Sequence, residues 1–282
     1  MSMENNTVKL SLIIAVYNHI EWLDMIFRML EKQSSKEFEV IIADDGSNEQ
    51  SVAYIQRLIK RASFPVQHVW HEDKGWRKNI ILNKAVVASK APYLVFIDGD
   101  CIPDCHFISD HLMLRQKGVV AACRRVQLSQ RMTDEITPEK VEKGYLHYMF
   151  ARLMLAGIHD CRRAIRIANP IGRKILKFFS RRGGLLGCNF GIYKEDLLRV
   201  NGFDERYLAA AVGEDTDLEM RLAQEGVITE KESYICRVYH RMHERNYPDN
   251  IFSDSKHPNT VIYLENKRNA VGYTPFGINK NV

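Results

Sequence analysis

The sequence predicts an α/β fold in which a mostly parallel, doubly wound sheet is covered by helices on both faces. Three observations predict it. Apolar runs of strand length alternate with segments of helical spacing from Val8 to Ile97. The runs are nearly continuous in apolar residues, as strands covered on both faces must be. Two of them end in acidic turns, Asp44-Asp45-Gly46-Ser47 and Asp98-Gly99-Asp100. In a parallel sheet such turns share one edge, and ligands of open α/β sheets bind beyond that edge.

The elements follow in order. Val8 to Val16 reads as a strand and Tyr17-Asn18 as its loop. Glu21 to Gln33 is a helix by the spacing of Trp22, Leu23, Ile26, Phe27 and Leu30. Phe38 to Ala43 is a strand, Ser51 to Arg61 a helix, Val66 to Trp70 a short strand and Arg77 to Ala88 a helix. Tyr93 to Ile97 is the strand that runs into Asp98 and Asp100. Cys105 to Gly118 is a helix and Val119 to Cys123 a strand. Leu146, Met149, Phe150, Leu153, Met154 and Gly157 hold one helical face, which predicts a long helix over Thr137 to Ile158.

Cys161 to Arg182 then carries eight Lys or Arg and no acidic residue. Pro170 and Gly172 interrupt it, so two short amphipathic helices are expected. Such a segment fits either an anionic membrane surface or an ordinary solvated face. Gly183 to Gly187 is a glycine-rich loop. Cys188 to Tyr193 is a strand, Lys194 to Val200 a helix and Asn201 to Asp204 a turn. Gly213-Glu214-Asp215-Thr216-Asp217 opens the helix Leu218 to Glu225. Acidic residues suit a helix N-terminus, but three in four positions exceed what a cap needs. Tyr234 to His240 is a last strand. The polar, proline-bearing residues 246–282 read as a tail wrapped on the surface.

Bulk properties narrow the function. The 282 residues are 45% hydrophobic and 27% charged, with a net charge of +5. This suits one large domain with an anionic ligand and does not demand nucleic acid. The six cysteines form no Cys-x-x-Cys pair, so reduced, packed thiols are expected rather than a zinc or disulfide framework. Met1 to Asn6 is polar without a signal-peptide pattern, and no apolar run reaches the ~18–20 residues that span a bilayer. The expected location is the cytoplasm, with peripheral attachment to the inner face of the plasma membrane as the variant. No G-x-G-x-x-G or G-x-x-x-x-G-K-[ST] loop follows the first strand, which disfavours dinucleotide and P-loop folds. Two carboxylates as close as Asp98 and Asp100 invite a shared cation, and a hard divalent ion bridging to phosphate is the usual partner.

Taken in order, the motifs resemble an inverting, family 2 glycosyltransferase of the GT-A fold, a Rossmann-like nucleotide-binding sheet flanked by helices. They are Ala15-Val16-Tyr17-Asn18, Asp44-Asp45-Gly46-Ser47, Asp98-Gly99-Asp100, Gly202-Phe203-Asp204-Glu205 and Gly213-Glu214-Asp215-Thr216-Asp217. Gly187 to Leu222 is similar to the galactosyltransferase-like part of chondroitin-polymerase-type bacterial enzymes. The resemblance implies a single domain over 1–245. It comprises a nucleotide-sugar half (8–123), a helical basic insert (137–186) and an acceptor and catalytic half (187–245), with the tail after it.

It also implies roles. Tyr17 would stack on the base and Asp44 accept from its ring N–H, with Ala15, Asn18, Asp45, Gly99 and Asn189 in the same nucleotide-sugar site. Asp98 would lie near ribose and metal. Asp100 would ligate Mn²⁺ or Mg²⁺, with His240 as a further ligand and His243 as the fallback. Asp215 would be the general base and Glu214 would orient a sugar. Many relatives carry Arg-Asn where Leu82-Asn83 stands, so Arg77 or Lys78 would supply that positive charge. The implied reaction moves a hexose or N-acetylhexosamine (Gal, GalNAc, Glc or GlcNAc) from a UDP-sugar to a glycan or lipid-linked acceptor. Bacterial surface polysaccharide synthesis is the expected setting, with 161–182 meeting an anionic membrane or the acceptor. The rivals are a sugar-nucleotide-binding scaffold that has lost catalysis and a nucleotidylyltransferase. The latter usually has a glycine-rich loop and a basic residue after the first strand, which Ala15 to Asn18 lacks.

Overall fold

In the computed structural model, residues 8–18, 20–156, 161–178, 184–210, 213–244 and 254–279 are described. The first half keeps the expected rhythm: β1 (Leu10–Val16), α1 (Leu23–Glu31), β2 (Phe38–Asp44), α2 (Glu49–Arg61), β3 (Val66–Trp70), α3 (Lys78–Ala88) and β4 (Tyr93–Asp98). Side chains alternate across a strand. Leu10, Leu12, Ile14 and Val16 therefore join one apolar cluster, while Ile13 joins another on the opposite face of the sheet. Each fully buried side chain of this size stabilises the fold by about 1.5–3 kcal/mol, so the strand ends stand on a rigid base.

β5 (Cys101–Pro103), α4 (Phe107–Leu114), β6 (Val119–Cys123), β7 (Arg125–Gln127), α5 (Gln130–Glu135), α6 (Pro138–Glu142), α7 (Met149–Leu155) and α8 (Pro170–Phe178) follow. The chain continues through β8 (Asn189–Tyr193), α9 (Lys194–Arg199), α10 (Glu214–Gln224), β9 (Ile228–Glu232), β10 (Val238–His240) and α11 (Pro258–Arg268). The main sheet has the order β3-β2-β1-β4-β8-β6-β9, and a small sheet has the order β5-β10-β7. All neighbours in the main sheet are parallel except β8, which runs antiparallel to both β4 and β6. Register places Val16 beside Asp44 and Ala15 beside Asp98. Both acidic turns thus flank the end of β1.

Five features depart from the sequence expectations. The long helix over 137–158 is broken: Gly144 adopts φ 86° between α6 and a 3-10 turn at Tyr145–Tyr148. Its apolar face survives in part: Leu146, Met149 and Leu153 are buried, Phe150 is half-buried against the core, and Met154 is exposed; residues 157 and 158 lie outside the described residues. In the basic stretch, Pro170 starts α8 instead of interrupting a helix, as proline's missing N–H permits in a first turn. Arg181, Arg182 and Gly183 lie outside the described residues.

β9 was not expected. Its sequence, Ile-Thr-Glu-Lys-Glu, is a half-exposed edge strand without an apolar run. The last strand is shorter than expected because Cys236 turns the chain at φ 52°. Residues 254–279 do more than drape the surface. Asn266 Nδ2 donates to Asp217 Oδ1 (2.7 Å), and Thr274 Oγ1 donates to Asp204 Oδ2 (3.1 Å). A Cβ at Gly277 would lie 1.8 Å from the Asn201 carbonyl, so only glycine fits where this segment crosses the Asn201 turn. Among the described residues, no helix is long and apolar enough to cross a membrane.

Candidate active site

A cavity of 760 Å³ opens beyond the carboxyl ends of β1, β2 and β4. Its walls come from strand ends and the loops that leave them. β1 contributes Ala15 and Val16 and then Tyr17, whose ring is 47% exposed. Tyr17 Oη donates to Asp73 Oδ2 at 2.9 Å, which holds the ring across the mouth. Asp45 lines the next position. Its Oδ2 accepts the Arg77 N–H (2.8 Å), and its Oδ1 pairs with His71 Nε2 (2.7 Å). Burial raises its carboxyl above the usual range, partly offset by these bonds. Gly75 and Trp76 close the same side.

The small sheet supplies the opposite wall. β10 pairs with β5 so that His240 faces Cys101, the residue after Asp100. The Arg241 N–H donates to the Asp100 carbonyl at 3.2 Å. This pairing brings His240 Nε2 to 3.2 Å and His243 Nε2 to 3.3 Å from Asp100 Oδ2. One ligand atom from each of the three residues lies within 4.8 Å of the others. His243 Nδ1 sits 2.8 Å from the Glu244 carbonyl; as the donor there it leaves Nε2 with a free lone pair, the outer bond typical of metal-binding histidines. A carboxylate with two imidazoles fits a divalent first-row ion better than an all-oxygen ion such as Mg²⁺. Arg125 and Gln127 on β7 complete this wall.

Between the walls lie Lys78 and Asp98, and the charges of Glu214 and Asp215 act on that lysine. Lys78 Nζ, at the start of α3, donates to Asp98 Oδ1 at 2.6 Å. Burial works against its charge, but Asp98, Asp215 and Glu214 outweigh burial and hold its pKa above the usual value. Asp215 and Glu214 open α10 after Gly213, which takes φ 86°. Asp215 Oδ2 accepts the Gly187 N–H at 2.7 Å. Burial raises the Asp215 carboxyl. Burial and the neighbouring Asp215 charge push the Glu214 carboxyl up to about 7. Such a pair can take up a proton near neutral pH.

A family model described as Glycosyl transferase family 2 matches residues 11–171, more than half of the chain. The chain belongs to glycosyl transferase family 2. A second model, N-terminal domain of galactosyltransferase, matches residues 174–244. Chondroitin synthase of Pasteurella multocida is 24% identical over 235 residues, covering 79% of this chain and 24% of the relative. Validoxylamine A glucosyltransferase of Streptomyces hygroscopicus subsp. jinggangensis is 24% identical over 258 residues, covering 84% of this chain and 57% of the relative. The chain thus spans from a quarter to little more than half the length of these relatives.

Two solved structures share the fold. A mannosyltransferase from Pyrobaculum calidifontis, in complex with GDP-Man and Mn²⁺, has a TM-score of 0.58 at 15% identity, covering 86% of this chain and 59% of that one. GalNAc-T7 with UDP, GalNAc and Mn²⁺ has a TM-score of 0.59 at 14% identity, covering 93% of this chain and 48% of that one. The GT-A architecture expected from the sequence is therefore present.

Within this member of the family the expected site residues divide. Ala15, Tyr17, Asp45, Lys78, Asp98, Gly99, Asp100 and His240 line the cavity, and His243 joins as a third member of the Asp100 cluster. Asp44 does not line it. Its side chain is fully buried, with Oδ1 accepting the Ser47 N–H (2.8 Å) and Oδ2 paired with His68 (2.9 Å). Asp45 takes the wall position instead. Asn18 also points elsewhere: at φ 54° it accepts the Asn48 N–H through Oδ1 (2.9 Å) and ties two loops together. The Arg77 guanidinium donates to the Glu72 carbonyl, so of these two residues Lys78 is the one that lines the cavity.

Asn189 is fully buried and bonds to the Arg124 and Cys236 carbonyls, away from the cavity. Glu214 and Asp215 are not among the lining residues, although their charges act on Lys78. Sequence reasoning missed Asp73, Trp76, Arg125 and Gln127. The first two follow β3, a third strand pointing at the same edge, and that position was the available signal. The last two follow β6 with no motif to mark them.

Proposed function

We propose that this chain transfers a hexose or N-acetylhexosamine from a UDP-sugar to a glycan or lipid-linked acceptor, with inversion at the transferred carbon. The observation that carries the reading is the convergence of Asp100, His240 and His243 on one wall of a cavity whose other walls bear Tyr17, Asp45 and Lys78. The donor set and the Mn²⁺ in both fold neighbours favour Mn²⁺ over Mg²⁺ as the cation. When bound, such an ion neutralises charge developing on a leaving diphosphate. The GT-A neighbours carry GDP-Man and UDP respectively. UDP is preferred here on the resemblance to chondroitin-polymerase-type enzymes, and the donor assay below decides between the two.

The chain's own residues do the rest. Tyr17 offers an exposed aromatic face on which a base can stack, worth about 1–3 kcal/mol. Asp45 sits beyond it to accept from the base. Lys78 offsets negative charge where sugar and diphosphate meet. Asp215, oriented by the Gly187 N–H, takes the proton of the acceptor hydroxyl, and Glu214 positions the reacting sugar. The exposed Ile171 and Ile175 of the basic helix α8 suit contact with an anionic membrane or an anionic acceptor, which would place the protein peripherally at the cytoplasmic face.

The test is a donor screen that reads release of the nucleoside diphosphate with Mn²⁺ present, across UDP-, GDP-, CDP- and TDP-sugars. UDP release that is abolished by Asp215→Asn, while UDP binding persists, supports the proposal. An unchanged rate in Asp215→Asn removes Asp215 as the base, and activity confined to GDP-sugars overturns the donor assignment.

A further inference from the structure

Outside the cavity lies a second cluster of ligating side chains. His111 of α4, Cys123 at the end of β6 and Cys236 just before β10 each place one ligand atom within 4.8 Å of the other two. All three side chains are fully buried. The polar atoms around them are poorly satisfied. His111 Nδ1 and Tyr93 Oη are buried and make no hydrogen bond. A Cβ at Gly191 would lie 2.3 Å from Tyr93 Oη and 2.9 Å from His111 Nδ1. Both orphaned atoms therefore converge on space that only glycine leaves. A buried polar atom without a partner costs about 1–3 kcal/mol, so two together point to a missing partner.

The tautomer of His111 sharpens this. Asn189 Nδ2 donates to the Arg124 carbonyl (3.2 Å) and the Cys236 carbonyl (2.7 Å). Its Oδ1 must then be the acceptor facing His111 Nε2 at 3.2 Å. That makes Nε2 the protonated nitrogen and leaves Nδ1 with a free lone pair on the side of Gly191 and Tyr93 Oη. Metal-binding histidines are oriented by this kind of outer bond. Cys236 adds backbone strain, being a non-glycine residue at φ 52°. It is held there by its N–H on Asp110 Oδ2 (3.3 Å) and by Asn189 on its carbonyl. Strained positions that persist are often functional.

We propose that His111 Nδ1, Cys123 Sγ and Cys236 Sγ form a structural site for a zinc-class divalent cation, with the Tyr93 hydroxyl oxygen at the fourth position. Zn–S bonds of about 2.3 Å and Zn–N bonds of about 2.0 Å set ligand atoms about 3.5–3.8 Å apart. Closing the three-residue cluster from 4.8 Å or less thus requires its atoms to approach one another by no more than about 1.3 Å. Both thiols release their protons on binding, and two thiolates cancel the charge of one divalent ion. The buried site is then neutral, which a monovalent soft ion on the same two thiolates would not achieve. The ion would tie β6 and the turn into β10 to α4. Cys123 leads into β7, which carries Arg125 and Gln127, and Cys236 leads into β10, which carries His240. The site would therefore hold the strands behind the cation wall of the cavity.

The test uses the whole chain produced in cobalt-supplemented medium under thiol reductant, then dialysed against a chelator to strip accessible cations. The His240→Ala/His243→Ala variant is treated in parallel, so that the cavity cluster contributes nothing. The expected result is about one tightly held metal per chain in both proteins. Both should show the near-ultraviolet thiolate-to-cobalt charge-transfer band, and Cys123→Ser or Cys236→Ser should lose it. Absence of the band from both metal-exposed proteins overturns the site without relying on a cysteine variant that folds. Isolation of Cys123 and Cys236 joined as a disulfide under the same conditions overturns it equally.

Discussion

Replacing Lys78 with methionine probes the electrostatics on which the proposed proton transfer depends. Lys78 Nζ lies 2.6 Å from Asp98 Oδ1, and its charge also lowers the carboxyls of Glu214 and Asp215. An opposite charge close by lowers a carboxyl pKa by about 1–3 units. The lysine side chain is 24% exposed, so solvent screening places the effect at the lower end. One unit corresponds to about 1.4 kcal/mol. Glu214, already pushed up to about 7 by burial and Asp215, should therefore rise by about one further unit in Lys78→Met. In the wild type, kcat/KM for UDP-sugar should climb with pH as the acidic pair loses its proton. In the variant that limb should move about one unit to higher pH. At neutral pH the variant should fall about tenfold below its own alkaline plateau. Lys78→Arg, which keeps the charge, should retain the wild-type limb. The assay is UDP release measured across neutral and alkaline pH. A limb that stays in place in Lys78→Met, or moves to lower pH, refutes the coupling.

Further outcomes follow from other contacts. The Glu214 carboxyl is raised in the folded state, so its contribution to stability is present below its ordinary value of 4.5 and lost as pH rises through about 7. Glu214→Gln should flatten that part of the stability–pH curve in thermal denaturation. Asp217 Oδ2 holds the buried Arg221 at 2.7 Å, and breaking a buried ion pair from one side costs about 3–5 kcal/mol. Asp217→Asn should lower Tm by roughly 6–20 °C, and adding Arg221→Met should recover part of the loss. Tyr17→Ala should raise KM for the donor by about 5–150-fold, from the ~1–3 kcal/mol of base stacking. It should leave Tm nearly unchanged, because the ring is half exposed. His243→Ala should weaken Mn²⁺ binding by at least the ~10–100-fold seen for outer-sphere partners of metal ligands, read by calorimetric titration.

The parts of this molecule that could be read in advance were those where local pattern and tertiary role agree. The strands β1 to β4 are apolar because both faces are covered, so their runs announced them, and parallel pairing then put Asp98 beside Ala15. The choice of Asp44 over Asp45 was not readable. Which of two adjacent carboxylates turns inward depends on His68 arriving from β3, a contact between strands. The meeting of His240 and His243 with Asp100 was legible only through the family resemblance, because it depends on the pairing of β10 with β5, two three-residue strands with no periodicity to detect. Gly144 broke a helix whose Leu146, Met149 and Leu153 stay buried, because burial follows from packing and the break from one backbone angle. The last segment looked like a polar tail because its key residues, Asn259, Asn266 and Thr274, are polar; they are buried to bond other polar groups, and composition cannot distinguish that from exposure.

The most direct test of the central claim is calorimetric titration of UDP into the wild-type chain with Mn²⁺ and again with chelator. The same pair of titrations on His240→Ala/His243→Ala completes it. The account predicts that UDP binding to the wild type requires Mn²⁺, and that the double variant loses most of that dependence. Equal binding of UDP to the wild type with the cation chelated would contradict the assignment of Asp100, His240 and His243 as the cation wall of a nucleotide-sugar site.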